Sequence, residues 1–596
     1  MHAAAAVNPA SESEVRAQLE RIFASQAFAN VDRLRRFLQF IVDQTLEGKR
    51  GNLKEFLVGV AVFDKSAHFD PRTDPIVRVQ ARRLRQRLAQ YYASEGGNDP
   101  LVIQLPKGSY KPVFQRPTKP GSRPPQPFLS PRNTIAVPPF ADHSPLRDQA
   151  YFCRGLADEI ITALTKVSGL RVLAWGTISE DHERTEQIRE MADRYDVATI
   201  VDGSVRKFAD DIRVTVKLLD TATGSYVWSE TFDGQAEHVF AVEQDISKRI
   251  VEELREQIEE EAGTRLVRHS SNLAAYNLYL KGKYHLNQRS EKALLKASGY
   301  FERATKEDPG YALAFAGLAD SYSLLANYGA VPPMDVWTKA IAAASTAVLL
   351  NEHSSEAHTS LGHVKATHAW DWEGAEKEFK EAIFLNPRYA TAHHWYARAC
   401  LAPLGRLAEA VEEMDIAQTV DPVSPIISRD AAVIFFFRRD FDAAVEQCRY
   451  AIQEEPNFYG THWILGLVEE QKRSFDAAIE AFQRALVLAP KTPRVLGSFG
   501  RTLALAGETK HATAILDELN ELTNTRYVSP FEQACIYFAL GERQTGFAWL
   551  EKALQHRAFE LISLLVDPRF DQLRVLPEFS SYPIRLGLPT FERVRM

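Results

Sequence analysis

The fold of most of this 596-residue chain is decided by the stretch Gly466-Leu-Val-Glu-Glu-Gln-Lys-Arg-Ser-Phe-Asp-Ala-Ala-Ile-Glu-Ala-Phe-Gln-Arg-Ala-Leu-Val-Leu-Ala-Pro490. Its closing proline recurs upstream, at positions 387, 422 and 456, so that the spacings are 35, 34 and 34 residues. A period of this length predicts units of two helices that stack on one another. The small residues Gly466, Ala478 and Ala485 let the paired helices approach closely, and the aromatic residue Phe482 fills the groove between them.

The same residue types return at matching positions in earlier copies. These sets are Ala375, Phe379, Ala382 and Pro387; Ala410, Met414, Ala417 and Pro422; Ala444, Cys448, Ala451 and Pro456; and, with a lengthened first loop, Ala297, Phe301, Ala304 and Pro309. The pattern resembles the tetratricopeptide repeat (TPR), and about eight units fit between residues 272 and 580. The resemblance implies an all-α TPR superhelical solenoid with a concave groove.

The side chains that line such a groove should come from the first helix of each unit. By register these include five residues, His363, His394, Arg398, Arg429 and Arg501. Our hypothesis is that the groove is locally cationic within an acidic domain and binds an acidic peptide or a loop of a protein partner. The alternative is that these are ordinary solvated side chains.

Charge is divided unevenly along the chain. The composition, 45% hydrophobic and 25% charged with a net charge of −7, is that of a soluble globular protein, and it excludes collagen-like, wholly disordered and disulfide-scaffold classes. Residues 1–132 carry 21 Lys and Arg against 12 Asp and Glu, whereas the remainder carries 50 against 66. A basic end on an acidic body indicates a polyanionic partner at the basic end.

The basic end is predicted to contain helices over residues 14–28, 31–46, 53–62 and 74–92. In the last helix an apolar stripe is formed by Val77, Ala81, Leu84, Leu88 and Tyr91. The same helix holds Arg78, Arg82, Arg83, Arg85 and Arg87, and no acidic residue lies between positions 75 and 94. The phosphates of a DNA duplex would neutralise this cluster, and guanine edges accept a guanidinium group. The alternative is a solvated face that pairs with acidic residues elsewhere in the fold.

Two short strands, over residues 100–105 and 110–114, are predicted to follow this helix. The runs Phe69-Asp-Pro-Arg-Thr-Asp-Pro-Ile-Val-Arg-Val-Gln-Ala-Arg-Arg-Leu-Arg-Gln-Arg-Leu88 and Ile103-Gln-Leu-Pro-Lys-Gly-Ser-Tyr110 resemble the OmpR/ToxR-type winged helix. The resemblance covers about residues 50–115 and implies a winged helix-turn-helix domain over 11–115. Residues 74–92 would then enter the major groove of double-stranded DNA, and the hairpin with Lys107 and Lys111 would lie on the flanking backbone.

A linker and a middle domain follow. Residues 116–132 hold six prolines and are predicted to form a stiff, extended linker. Over 133–262, five predicted strands interrupted by helices at 152–164 and 186–195, with a closing helix at 239–257, indicate an α/β domain with a mixed sheet. The strings Ile135-Ala-Val-Pro-Pro-Phe140 and Val201-Asp-Gly-Ser-Val-Arg206 resemble an α/β domain found between a winged helix, or a cyclase domain, and helical repeats. A spacer or dimerisation role and a small-ligand sensor remain open for it.

Other residues with chemical potential do not form a recognisable site. The four cysteines form no CxxC pair, which predicts buried thiols. His393, His394 and His462 lack a matching set of carboxylates or cysteines, so we expect packing residues rather than metal ligands. No catalytic constellation and no cofactor motif is present, and we expect the protein not to be an enzyme. With no signal peptide and no apolar run near the ~20 residues of a membrane helix, we expect a cytoplasmic protein with no membrane contact.

Two functions fit these patterns. The first, which resembles soluble ToxR/HilA-like regulators, is a one-component transcriptional regulator. It would bind DNA through the N-terminal winged helix and use the TPR array for protein interaction or effector sensing. The second is a TPR interaction scaffold whose N-terminal module does not bind DNA. The residues leave open the operator, the signal, the sign of regulation, and whether the protein forms a homodimer.

Overall fold

A computed structural model of the chain describes residues 272–589 without a gap and most of residues 12–250. The longer stretches outside the description are 47–54, 64–75, 106–109, 116–133, 166–169, 175–187, 236–245 and 251–271. The predicted linker at 116–132 and Lys107 therefore lie outside the described residues. The chain divides into two compact units, residues 1–128 and residues 129–596.

The described residues of the N-terminal unit form four helices and a β-hairpin. The elements are α1 (Glu12–Ala24), α2 (Asp32–Leu46), α3 (Glu55–Phe63), α4 (Ile76–Ala93), β1 (Val102–Gln104) and β2 (Val113–Gln115). The two strands are antiparallel, with Ile103 opposite Phe114. The predicted apolar stripe of α4 is confirmed, because each of its five side chains is at most 4% exposed. It packs with apolar residues of α1 and α2, such as Ile22 and Phe37, so this unit has a core of its own.

The middle domain is built on a mixed sheet, as the sequence predicted. Its elements are β3 (Thr134–Val137), β4 (Ala141–Asp142), α5 (Ala150–Leu164), β5 (Arg171–Ala174), β6 (Thr199–Phe208), β7 (Asp211–Asp220) and β8 (Ser225–Gln235). The strand order is β5-β3-β6-β7-β8, and β4 pairs with β6. β3 runs parallel to β5 and β6, whereas β6, β7 and β8 are antiparallel. Of the predicted helices at 186–195 and 239–257, residues 188, 192, 194, 195, 246, 249 and 250 are described; all are helical except residue 195, which lies in a turn.

Eight helix pairs form the repeat array between residues 273 and 555. They are α6 (Leu273–Asn287) with α7 (Glu291–Glu307), α8 (Ala312–Asn327) with α9 (Pro333–Leu350), α10 (Ser355–Val364) with α11 (Trp372–Leu385), α12 (Ala390–Trp395) with α13 (Leu407–Val420), α14 (Pro425–Phe437) with α15 (Phe441–Glu454), α16 (Tyr459–Gln471) with α17 (Phe475–Leu488), α18 (Pro493–Leu505) with α19 (Thr509–Leu522), and α20 (Pro530–Ala539) with α21 (Arg543–Gln555). The first helices α10 and α12 each continue into a π-helical turn, Lys365–Ala369 and Tyr396–Leu401.

The repeat residues pack as the sequence pattern requires. Ala478, Phe482 and Ala485 are fully buried, and so are the equivalent alanines and aromatic residues of the other quoted copies. A Cβ atom added at Gly466 would lie 2.6 Å from Cε1 of Phe482, closer than side-chain atoms approach one another. The small residue at this position is therefore needed for the two helices of the unit to meet.

Residues 556–589, called the C-terminal segment below, leave the repeat pattern. They form three short 3₁₀ helices, Phe559–Ser563, Pro568–Phe570 and Pro577–Phe579, and α22 (Ser581–Arg585). The segment folds back on the array, where Nε1 of Trp372 donates a hydrogen bond to the carbonyl oxygen of Leu586 at 2.7 Å. The helix pairs thus end at 555 rather than near 580, and the C-terminal segment packs against repeats far from it in sequence.

The middle domain and the first repeats share one hydrophobic core. Leu156 and Ile160 of α5 belong to the same buried cluster as Tyr276 and Leu280 of α6. Further along the array, the hydroxyl groups of Tyr195 and Tyr450 lie 2.9 Å apart. The domain is therefore packed onto the array rather than separated from it.

Candidate functional site

The first helices of the repeats surround a cavity inside the array. Side chains of α8, α10, α12, α14, α16, α18 and α20 line it, together with the C-terminal segment. Its volume is about 100 Å³. Aromatic rings supply much of the wall, including Trp395, Phe436, Phe437, Trp463 and Phe559. A concave apolar site with a few polar groups is the usual form of a ligand pocket.

Four of the five groove residues predicted from the register lie together at this cavity. They are His363, His394, Arg398 and Arg429. The fifth, Arg501, does not line it: its guanidinium pairs with the buried carboxylate of Glu470, which also accepts a hydrogen bond from Thr502 at 2.7 Å. Arg501 therefore contributes to packing between α16 and α18 rather than to the wall of the cavity.

An ion pair on α14 holds the centre of one wall. Asp430 accepts hydrogen bonds from Nε2 of His394 at 2.7 Å and from Nε of Arg429 at 2.9 Å. Burial opposes the charge of Asp430, yet Arg429 and then His394 hold the pKa of its carboxyl well below the usual range. Burial lowers the pKa of His394 despite Asp430, so the neutral imidazole donates its Nε2 proton to the carboxylate.

Arg398 lies in the π-helical turn that follows α12. Its guanidinium carbon is 5.2 Å from the ring centre of Phe437 and 5.8 Å from that of Phe559. Its Nη1 donates to Oγ of Ser563 at 3.3 Å. Burial lowers the pKa of Arg398 to about 10, so the group keeps its charge at neutral pH. π-helical turns often occur at functional sites, and this one presents a cation to the cavity.

The other charged groups of the cavity are mostly paired. Arg494 contacts Glu560 at 3.3 Å, and Arg569 contacts Asp567 at 2.7 Å. Burial, followed by the charge of Glu560, raises the pKa of Glu532 well above its usual range, which favours a neutral carboxyl there. Five arginines and four acidic residues line the cavity, and with Glu532 neutral the cations outnumber the anions by two. Of the residues predicted from the register, Arg398 and Arg429 supply two of these cations, and the binding of an acidic partner stays a prediction.

His363 sits at one end of the cavity in a hydrogen-bonded group. Its Nδ1 lies 3.1 Å from Oγ of Ser323, which is also 3.0 Å from Nε2 of His368. The imidazole stacks on Trp395 with the ring centres 4.1 Å apart. Burial, and then the neighbouring His368, lower the pKa of His363 well below its ordinary value. The ring is therefore neutral and contributes a planar surface rather than a charge.

Three histidines at equivalent positions of different repeats have a structural role that the sequence pattern had not indicated. Nε2 of His358, His393 and His462 each lies 2.9 Å from the backbone carbonyl oxygen six residues earlier. Nδ1 of His358 and of His393 also contacts a glutamate of the paired helix, Glu378 and Glu413 respectively. These histidines stand about one and two repeat periods apart, and that spacing was a readable signal. They tie each unit to the loop before it, and no group of three metal-ligating residues occurs in the described part of the chain.

The predicted DNA-contacting residues lie on α4 and the hairpin of the N-terminal unit. Arg85 is half-buried, and its Nε donates to the carbonyl oxygen of Leu105 at 3.1 Å, which links α4 to the hairpin. Arg87 is half-buried, and Lys111 is exposed. The side chains of Arg78, Arg82 and Arg83, and the whole of Lys107, lie outside the description. All five arginine positions are on α4 and outside its buried stripe.

Family comparisons identify two parts of the chain. Residues 131–252 match the HilA/YgeH-like transcriptional regulator, second domain. Residues 371–425 and 429–493 match the tetratricopeptide repeat. The chain thus contains a HilA-like regulator domain followed by TPR repeats. The thiols of all four cysteines are free and buried, as predicted, and no helix among the described residues is long and apolar enough to cross a membrane.

Curated relatives share only part of their length with this chain. "Putative adenylate cyclase 3" of Rhizobium meliloti (strain 1021) is 32% identical over 245 residues, which is 40% of this chain and 41% of that protein. "Transcriptional regulator HilA" of Salmonella typhimurium is 23% identical over 182 residues, 30% of this chain and 32% of the regulator. The chain therefore spans less than half the length of either relative.

Solved structures resemble the repeat fold at low identity. YrrB, a TPR protein with an unusual peptide-binding site, is 16% identical, and the match covers 33% of this chain and 95% of YrrB with a TM-score of 0.23. A human IFIT1 dimer with m7Gppp-AAAA is 15% identical and covers 53% of this chain and 78% of that one, with a TM-score of 0.37.

Proposed function

We propose that this chain is a cytoplasmic one-component transcriptional regulator that binds double-stranded DNA through its N-terminal unit, folded as an OmpR/PhoB-type winged helix. The observation that carries the proposal is α4: one stripe is buried in the core of the unit, and five arginines occupy its other positions. Like charges gathered on one helix repel one another, and the phosphates of a duplex relieve that repulsion. The HilA-like domain that follows and the relatives named as transcriptional regulators support the same function.

The hairpin supplies the second part of a winged-helix arrangement. β1 and β2 follow α4 directly, and Arg85 ties the helix to Leu105 at the end of β1. The amide of Ile103 also donates to the hydroxyl of Tyr92 at 2.8 Å. Helix and hairpin are therefore held together as one body, so that a helix in the major groove would bring exposed Lys111 toward the flanking backbone. In this proposal Arg85 orients the hairpin, while Arg78, Arg82, Arg83 and Arg87 face the DNA.

A gel-shift of the full chain on fragments of genomic DNA tests the proposal. The variant Arg78→Ala/Arg82→Ala removes two α4 charges, and we expect it to abolish the shift because each phosphate or base contact contributes to affinity. The matched control is Arg213→Ala, which removes an exposed arginine of β7 that pairs with Asp233. We expect the control to bind as the wild type does. Absence of a wild-type shift at low salt would overturn the proposal.

The repeat array serves, in this proposal, as the protein-interaction or effector-sensing module of the regulator. The second candidate, a TPR scaffold with a non-DNA-binding N-terminal module, would be favoured if the gel-shift fails while a protein partner is captured on the array. We also propose that the chain is not an enzyme. Because one relative is named for adenylate cyclase, the matching assay is incubation with ATP and Mg²⁺. We expect no cyclic AMP, and its formation would contradict this part of the proposal.

A further inference from the structure

The groove of the array is closed by the chain itself. Phe559, Glu560 and Ser563 of the C-terminal segment form part of the cavity wall. Across the array, Arg526 contacts Glu291 at 2.5 Å although 235 residues separate them in sequence. An extended peptide in this groove would have to displace the C-terminal segment, whereas a cavity of about 100 Å³ has room only for a small molecule.

Two cations of the cavity have no carboxylate partner among the described residues. Arg398 donates one hydrogen bond to Ser563 and otherwise contacts aromatic rings. Arg289 also lines the cavity, and its Nε is buried without a hydrogen-bond acceptor. Both guanidinium groups line this cavity together with His363.

Arg398 and Arg289 are half-buried, and a cation that has lost part of its hydration is costly unless something neutralises it. The remaining arginines of the cavity, Arg429, Arg494 and Arg569, each contact an acidic residue and need no further partner. A guanidinium group carries five N–H donors, and Arg398 uses one of them toward the described residues. Nearby Asn327, 4% exposed, lines the same cavity, and its Oδ1 has no donor in the described chain. Among the described residues no carboxylate lies within 4 Å of either guanidinium group, so the cavity can accept an anion beside these arginines and a hydrogen-bond donor at Asn327.

We propose that the cavity binds a small organic anion, a carboxylate or phosphate on a planar or apolar body, with Arg398 and Arg289 neutralising its charge. The planar fork of arginine matches carboxylate and phosphate oxygens in pairs. Trp395 and Phe437 offer apolar surface to the body of the ligand. The role of the cavity as the effector site of a regulator rests on the proposed function. Anion binding itself is inferred from the residues of the cavity alone.

Calorimetric titration of the full chain without DNA tests the inference. The probes are phenyl phosphate and benzoate, with benzyl alcohol as the neutral counterpart. We expect both anions to bind, and benzyl alcohol to bind about tenfold more weakly or not at all, because hydrogen bonds between a guanidinium group and an anion are stronger than those between neutral groups. Arg398→Gln should weaken the anions about tenfold and leave benzyl alcohol unchanged. Arg438→Gln, at an exposed arginine just after α14, is the matched control.

A second variant decides the matter if Arg398→Gln does not fold. The backbone of Arg289 has φ +50°, a conformation that asparagine tolerates well, so Arg289→Asn removes the charge without straining the loop. It should weaken the anions as well. Folded wild type that binds neither anion, or anion affinity unchanged in both variants, would overturn the inference. Anion binding without a DNA gel-shift would overturn the proposed function alone, and a gel-shift without anion binding would overturn this inference alone.

Discussion

Trp372 and Leu586, 214 residues apart, are joined by a hydrogen bond of 2.7 Å from the indole Nε1 to the backbone carbonyl oxygen. Both residues are buried, at 7% and 0% exposure. The bond attaches the C-terminal segment to the third helix pair and so helps to close the cavity. Trp372→Phe should lower the free energy of unfolding by about 1–3 kcal/mol, since it leaves the carbonyl of Leu586 unsatisfied. It should also speed amide exchange over residues 556–589.

Urea denaturation and hydrogen exchange measure these two effects. The matched control is Trp549→Phe, because the Trp549 indole stacks on Tyr537 and over Lys552 and makes no hydrogen bond within the described residues. Equal stability of the two variants, with no change in exchange over the segment, would show that the bond does not hold the C-terminal segment.

Replacing glycine by alanine should have opposite effects on stability at Gly466 and at Gly299. Both lie within helices, where replacing glycine by alanine ordinarily stabilises by roughly 1 kcal/mol. At Gly466 the new Cβ would lie 2.6 Å from Phe482, and overpacking costs about 1–3 kcal/mol. At Gly299 nothing lies within 4 Å of the new atom. We expect Gly466→Ala to lower the thermal midpoint and Gly299→Ala to keep or raise it. A stabilising Gly466→Ala would contradict the close helix pairing.

Stability of the array should fall as the pH is lowered because of His368. Burial, followed by the charge of Arg557, lowers the pKa of this imidazole to about 4. The unfolded chain titrates near 6.5, so His368 contributes its full stability above that pH and loses it as the pH falls toward 4. At 1.36 kcal/mol per pKa unit, the whole contribution is about 3 kcal/mol.

Comparing the pH dependence of stability in the wild type and in His368→Asn gives the contribution of His368 alone. The comparison is needed because burial raises the pKa of Asp421 to about 7, which acts in the opposite direction. We expect the wild type to lose more stability than His368→Asn when urea midpoints at neutral pH and near pH 5 are compared. Parallel losses in the two proteins would show that His368 is not buried in its neutral form.

Local sequence pattern predicted most of the array. Each unit is a short-range motif, so the period of 34 residues was enough to place the helix pairs and their buried residues, such as Phe482. The same register brought four of the predicted groove residues to the cavity, since every first helix turns one side inward. The apolar stripe of α4 was likewise readable, because Val77 and Leu84 repeat with helical spacing.

Long-range contacts were not readable in this way. Arg501 pairs with Glu470, 31 residues earlier, and nothing in the local pattern distinguishes it from an arginine that faces the groove. Residues 556–589 carry no repeat, and their position depends on closure of the whole superhelix. Arg289 was missed because it stands in a loop between two helices, outside the register from which groove residues were chosen.

The central claim, DNA binding through α4, is tested most directly by the salt dependence of affinity. The affinity of the full chain for a fragment that it shifts is measured by fluorescence anisotropy at increasing salt. We predict that log K falls linearly with log salt, and that Arg78→Ala and Arg82→Ala each reduce the slope by about 1. Arg213→Ala should leave the slope unchanged. No binding at low salt, or a slope that the α4 variants share with the wild type, would contradict the claim.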